Sequence, residues 1–593
     1  MCCENKTWRK ALALMVFLCI GTILPAADVL ERTVSVRFEQ VPLTDALAEI
    51  ARQGGFEWSY NAHILDRERR VSLVANGWTV REVLLFVLGD AYTFKQNGEY
   101  LILKKRKKPQ QHLSGYISDK HTGRRMANVT VYDRQTLKST TTDQNGYYEL
   151  PVTAQSEIVI SKLSYRDTVL HVDAQTPRLV KLDMYTDTVP HSEKPSFREE
   201  MNRFAVKMEN FFVGSSQTVA NLNVRDSLHR YFQIGFLPGL GTNHRLSGSV
   251  INDWSLNLLA GYSRGNRIFE MGGLGNINRE DVGGFQSGGL FNITGGGLNG
   301  VQFAGLFNNL GGRANGAQFA GVYNFAGDAV QGVQFAGIAN IARDVSFQSA
   351  GVFNLSAKGK VNVQFAGVSN HAHLVRGVQA AGVLNSTDSL HGCQFSGLVN
   401  RAGHVKGAQI GLFNFAREVD GVQIGLINYS RYGGYIVLEA GSNDVFAVNT
   451  AFKSGTEGLY TILSAGFDPA EPSGDPVGEH FWGYGLGLGT RARVTRNFGL
   501  TFDLLHRHLN KGSHDNEVQE WEQLAASLNL NIGKHFSIAG GPSANLLIAN
   551  PDVVGAQEIR KKIVSKNWLD ASSNANGWLS AWLGWTASVR VRF

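Results

Sequence analysis

VQFAGLFN at 301–308, AQFAGVYN at 317–324 and VQFAGIAN at 333–340 are copies of one unit, and their reading decides the fold of the second half of this 593-residue chain. Gln recurs at 286, 302, 318, 334, 348, 364, 379, 394, 409 and 423, each 14 to 16 residues after the last, and Asn follows by six residues, or by five in the last two copies. Such self-similarity marks an array of equivalent segments. The signature positions are Gln302, Gly305 and Asn308, then Gln318, Gly321 and Asn324, then Gln334, Gly337 and Asn340. In an extended strand, Val301, Phe303, Gly305 and Phe307 share one face, while Gln302, Ala304, Leu306 and Asn308 share the other.

Two geometries satisfy this pattern. Antiparallel barrel strands would turn the apolar face to lipid and the semi-polar face inward. A parallel β-solenoid would stack identical positions coil on coil as Gln and Asn ladders. The chain passes from Trp254–Tyr262 and Phe269–Asn276 into the repeats without a linker. That continuity favours barrel strands over 267–430, with the first barrel strands at 231–266. The unit resembles a bacterial surface-repeat family with GxQxxGLxN units.

Downstream, at 431–593, alternation is clearest. Phe498, Leu500, Phe502 and Leu504 oppose Gly499, Thr501 and Asp503, and Leu524 to Ile532 repeats the plan. A side-chain period of two means strands. With no post-leader apolar stretch near 18 residues, such a chain can cross a bilayer only as a closed barrel, because lipid satisfies no backbone hydrogen bond. Trp585, Ala587, Val589, Val591 and Phe593 alternate with Thr586, Ser588, Arg590 and Arg592. This resembles the terminal signal by which outer-membrane barrels are recognised for assembly, with Trp585, Val589, Val591 and Phe593 as its residues. Trp482, Tyr484, Trp521, Trp582 and Trp585 are candidates for interfacial girdles.

At the other end, Lys6, Arg9 and Lys10 precede the apolar run Ala11–Leu24 and the small residues Ala26-Ala27, the layout of a secretory signal peptide over 1–27. Its loss would lower the formal charge from +7 to +5, since it carries three basic residues and one acidic residue. No basic block or aromatic-basic stripe supports nucleic-acid binding. Cys393 is the single cysteine outside this leader, so neither an internal disulfide nor a Cys-based metal site is expected.

Residues 28–105 read as a twice-repeated strand–helix plan. Val34–Phe38 alternates, Thr44 can cap a helix carrying Leu43, Leu47 and Ile50, and Gly54-Gly55 ends it. Val71–Val74 is the second strand, Thr79 and Glu82 form a capping box, and Asn97-Gly98 turns a closing hairpin. The run VPLTDALAEIARQGGFEWSYN, followed by VSLVANGWTVREVLLFVLGDAYTFKQNGEYLIL, resembles the STN domain, the secretin and TonB N-terminal short domain. The resemblance implies a periplasmic protein-contact module, used in some transducers to signal to an inner-membrane regulator.

Residues 112–184 change to short strands, at Leu113–Ile117, Val129–Tyr132, Tyr147–Leu150, Ile158–Ser161, Thr168–Val172 and Leu179–Leu182, which argue a β-sandwich. GYISDKHTG, VTVYD and TTTDQNGYYEL resemble the carboxypeptidase regulatory-like domain, a transthyretin-like sandwich without peptidase chemistry. Ser164-Tyr165 departs from the Gly-Tyr common in that family. Asp143, Asn145 and Glu149 read as an Asn-Gly hairpin rather than a calcium loop. A linker at 185–230, with a possible amphipathic helix near Phe197–Phe212, is too short for the plug of an energised transporter.

The whole is thus expected to be a multidomain, mainly β protein of the outer membrane with its N-terminal domains in the periplasm. It is expected to be non-enzymatic, without cofactor, metal or catalytic residues. Expected partners are outer-membrane lipid, the barrel-assembly machinery and, through the STN-like domain, a periplasmic or inner-membrane regulator. A signal-transducing receptor and a passive pore are the alternatives. A barrel enzyme would need His506, Asp503 and Ser527 to converge, and their spacing forms no motif. His371, His373, His391 and His404 occupy different repeat positions and read as exposed turn residues.

Overall fold

The computed structural model describes residues 28–66, 68–106, 111–173, 175–187, 207, 211–469, 480–511, 519–550, 567–573 and 577–593. The leader at 1–27 and nearly all of the connector helix expected at 197–212 lie outside these residues. The chain divides into two units, 1–193 with 212–229 and 238–250, and 194–211 with 230–237 and 251–593.

In the first unit, strand Thr33–Pro42 pairs antiparallel with Arg70–Thr79, and each runs directly into a helix, Leu43–Gly54 and Val80–Leu88. The second helix starts with the expected capping box of Thr79 and Glu82. The first is not capped by Thr44, because the helix begins one residue earlier, behind Pro42. Leu43, Leu47, Ile50, Val83, Leu84 and Val87 are buried together with Val34, Val36 and Phe38, each large side chain contributing about 1.5–3 kcal/mol. A second sheet sets Glu57–Ser59 parallel to Tyr100–Lys105, which pairs with Tyr92–Asn97 across the expected hairpin. The sandwich follows as a four-stranded sheet facing a three-stranded one, the latter with Leu179–Met184 parallel to His112–Asp119. Helix Ser215–Asn223 then packs Ala220, and Val224 just after it, against Tyr132, Leu137 and Val159 of the sandwich.

The second unit corrects the reading of the repeats. Leu298–Ala304 lies parallel to Ala314–Ala320 in strict register, Gln302 beside Gln318, and Phe307–Leu310 lies parallel to Tyr323–Ala326, Asn308 beside Asn324. Each 14- to 16-residue unit is one coil of a parallel β-solenoid, the second of the two geometries above, and not a single barrel strand with its turn. The stretch expected to hold the first barrel strands belongs to it too: Val250–Asn257 and Ala260–Ser263 pair parallel with Gly265–Gly272 and Gly275–Asn278. The physical reason lies in the amides. Only in-register stacking lets a Gln meet a Gln and an Asn an Asn at every step, as the hydrogen bonds described below require.

The last solenoid strand, Ile427–Tyr432, gives way to Tyr435–Asn443, where pairing becomes antiparallel. Eight strands, Tyr435–Asn443, Val448–Gly455, Tyr460–Asp468, Phe481–Arg493, Phe498–Lys511, Gln519–Ile532, Phe536–Ala549 and Gly577–Arg592, follow in order. Val437 pairs with Arg592 and Asn443 with Thr586, so the last strand closes on the first and makes a barrel. Asn567–Ser573 adds to the last strand at its other end.

Candidate functional site

The barrel wall reverses the usual order of a water-soluble protein. Phe498, Leu500, Phe502, Leu504, Leu524, Leu528, Leu530, Ile532, Leu583, Trp585 and Val589 are exposed on its outside. Thr501, Asp503, Ser527, Asn529, Ser588 and Arg590, alternating with them, are buried inside. The strand period of two, legible from sequence, thus sorts greasy side chains outward and polar ones inward.

Within the lumen these polar groups form one network. Lys453 Nζ lies 2.6 Å from both Glu439 Oε2 and Asp503 Oδ2, and Arg590 Nε lies 2.7 Å from the same Glu439 oxygen. The Tyr460 hydroxyl donates to Asp503 Oδ1 at 2.6 Å. Further along, the Arg507 guanidinium lies over the Trp521 ring at 4.6 Å and donates through Nε to Ser464. Trp521 Nε1 donates to Asn545, and Trp582 Nε1 to Asp444. Trp521 and Trp582 therefore fill the lumen rather than joining an interfacial girdle, while Trp585 is half exposed on the wall. Eight strands enclose just enough space for such side chains to fill. Of the assembly-signal residues, Trp585, Val589 and Phe593 are exposed and Val591 is half-buried.

The solenoid interior carries two amide ladders of opposite sense. Gln302 Nε2 donates to Gln286 Oε1 at 2.7 Å, Gln318 to Gln302 and Gln334 to Gln318 at 2.8 Å, and so on to Gln423, always toward the preceding coil. Asn292 Nδ2 donates to Asn308 Oδ1 at 2.8 Å, Asn308 to Asn324 and Asn324 to Asn340 at 2.9 Å, always toward the following coil. All these side chains are fully buried, so each unmade bond would carry the full desolvation penalty. The Asn ladder ends at Asn428, which donates to Ser454 O and Thr461 Oγ1 of the barrel. The Gln ladder begins at Glu270, whose carboxylate accepts from Gln286 at 2.7 Å. The third signature residue also stacks: a Cβ on Gly321 would fall 2.1 Å from Gly305 O, and one on Gly337 the same distance from Gly321 O.

In the first unit, Glu31 is the hub between the two small domains. It accepts from Arg81 Nε at 3.0 Å, Arg125 Nη1 at 2.7 Å and the Tyr116 hydroxyl at 3.2 Å, and burial pushes that hydroxyl up to about 12. Around the turn at Ser164, Tyr165 donates its hydroxyl to Asp119 Oδ2 at 2.7 Å. Ser164 itself holds φ +69°, the left-handed conformation that glycine adopts without cost. Residues 113–192 match the CarboxypepD_reg-like domain. No curated protein and no solved structure matches the chain. In the CarboxypepD_reg-like domain the segment read as an Asn-Gly hairpin is a turn: Asp143 Oδ1 accepts backbone N–H groups of Asn145 and Tyr147, and Glu149 pairs with Arg106.

The residues that a barrel enzyme would need are not brought together. Asp503 and Ser527 face the lumen, whereas His506 faces outward and pairs with Glu522 and Glu520. One cluster escaped sequence reading. His404, Glu418 and Asp420 place one ligand atom each within 4.8 Å of one another, with His404 Nδ1 3.2 Å from Glu418. Solenoid stacking alone joins them, His404 lying beside Glu418 on the next coil. All three are partly or fully exposed.

Proposed function

We propose that the chain is a non-enzymatic outer-membrane protein, anchored by its eight-stranded barrel and presenting the solenoid and two small domains to the periplasm. The observation that carries this reading is the inverted wall: Phe502 and Leu504 outside, Asp503 inside, on consecutive residues of one strand. Left in water, that belt would be a large exposed apolar surface; facing lipid, it is satisfied. The connections support a sidedness. At one barrel end the strands turn through 456–459, 494–497 and 533–535; at the other, 444–447 is a short turn and the joins at 469–480, 512–518 and 550–576 are longer. Short turns belong to the periplasmic side and long loops to the surface. The solenoid enters at Tyr435, on the short-turn side. Among the described residues no helix is long and apolar enough to cross a membrane.

The filled lumen supports an anchor rather than an open channel. The STN-like sequence of 28–105 supports a role in periplasmic protein contact, beside the CarboxypepD_reg-like domain. The test is purification. The mature protein is expected to require detergent, to show a folded band on unboiled gels that shifts on boiling, to insert into vesicles, and to give no step conductance in planar bilayers. A freely water-soluble monomer without detergent would overturn the membrane reading, and step conductance would overturn the anchor.

A further inference from the structure

The solenoid is amphipathic along its length. One corner carries the segments FAGLF at 303–307, FAGVY at 319–323, FAGIA at 335–339, SAGVF at 349–353, FAGVS at 365–369, AAGVL at 380–384 and FSGLV at 395–399, without a single charge. Leu290, Leu306, Ile338, Val352, Val368, Val383, Leu398, Leu412 and Leu426 stand exposed in one column along that corner, at 38–44% of their surface. Beside them Phe303, Phe319 and Phe335 stack face to face, with centroids 4.7 and 5.4 Å apart. The opposite corner carries the charges, among them Arg313, Lys360, Arg376, Asp388, Lys406 and Glu418, all exposed. At a spacing of about 4.8 Å per parallel strand, ten coils make an apolar edge roughly 45 Å long. Soluble monomers rarely leave a contiguous apolar patch of such extent uncovered.

What covers the edge is indicated by where it leads. Shallow clefts follow it, one along Phe303, Phe319 and Phe335, the next along Phe365, Phe395 and Ile410. A third is lined by Leu412 and Leu426 of the solenoid together with Leu463, Leu486 and Leu488 of the barrel's outer wall. The apolar edge is therefore continuous with the belt that the barrel turns outward. We propose that the solenoid's uncharged edge is a lipid-binding surface, seated in the acyl chains of the bilayer leaflet that borders the barrel's short-turn end, with the charged corner facing water. This rests on the outer-membrane reading above. It gives the repeat a function: the apolar corner is held straight by the Gln, Asn and Gly columns, so that each coil adds one more contact with the membrane.

Depth-dependent quenching tests it in proteoliposomes. Cys393→Ser removes the single cysteine outside the expected leader. Into that background go, one at a time, Leu306→Cys and Leu398→Cys on the edge, Lys360→Cys and Lys406→Cys on the charged corner, and Leu528→Cys on the barrel wall. Each carries bimane in vesicles of phosphatidylcholine with acyl-chain bromines. The expected result is quenching at 306 and 398 at least half as strong as at 528, and several-fold stronger than at 360 and 406. Quenching at 528 with none beyond the 360 and 406 level at 306 and 398 overturns the lipid surface while leaving the barrel reading intact. If, in addition, the edge probes are shielded from aqueous iodide and the protein sediments as a dimer, a second copy is the occupant instead. Absence of quenching at 528 overturns the membrane reading itself, and this proposal with it.

Discussion

Glu270 occupies the position beside Gln286 where every later coil carries Gln. Its carboxylate is fully buried, and burial raises its pKa from the usual 4.5 to about 7. Between those values the folded chain holds a proton that the unfolded chain has lost, so the contribution to stability falls as pH rises from 4.5 to 7, by on the order of 3 kcal/mol in all. Glu270→Gln continues the ladder with a neutral acceptor. It is expected to slow hydrogen–deuterium exchange over 282–304 at pH 8 and to match the parent at pH 4; faster exchange at pH 8 would contradict the buried carboxylate. A second single-residue effect concerns Ser164, whose φ of +69° costs a side chain about 1 kcal/mol or more. Ser164→Gly should raise the melting midpoint of the CarboxypepD_reg-like domain by several degrees, an effect that a lowered midpoint would disprove.

At the level of the element, the coil is held by columns that tolerate different changes. Gln318→Ala orphans Gln334 Nε2 on one side and Gln302 Oε1 on the other, each at about 1–3 kcal/mol. Gly321→Ala brings a methyl within 2.1 Å of Gly305 O, and backbone cannot yield as a side chain does. Both variants should raise amide exchange in the coils on either side, Gly321→Ala more, whereas Tyr323→Phe, which keeps the aromatic stack, should leave it unchanged; equal protection in all three would refute the ladder account. The columns also explain what could be read in advance. The 14- to 16-residue period and the faces were legible, because alternation is local. The direction of pairing was not, since Gln302 and Phe303 alternate identically in an antiparallel barrel and in a parallel coil. The barrel's alternation was equally plain, yet it left open which face of a Trp strand looks inward, and Trp521 and Trp582 proved to be lumen residues. Nor could spacing reveal the pairing of Lys453 and Arg590 with Glu439 and Asp503, which only the closed register creates.

For the second unit as a whole, stability rests on the inverted polarity of the barrel wall. Lumen charges withdrawn from water are costly unless every partner is present, and removal of one partner typically costs about 3–5 kcal/mol. Lys453 is the cation shared by Glu439 and Asp503. Lys453→Met keeps the volume but removes the cation that lies between the two carboxylates, so the folded band on unboiled gels should vanish at a temperature well below that of the parent. Adding Glu439→Gln removes one of the two carboxylates, and the double variant should recover part of the loss, a coupling of the sign expected for groups in direct contact. Outer-wall Leu528→Ala, by contrast, trims only an outward-facing side chain and should move the transition little. Should Lys453→Met melt with the parent, or the double variant fall below the single, the lumen would not be the ion-paired core that closes this barrel.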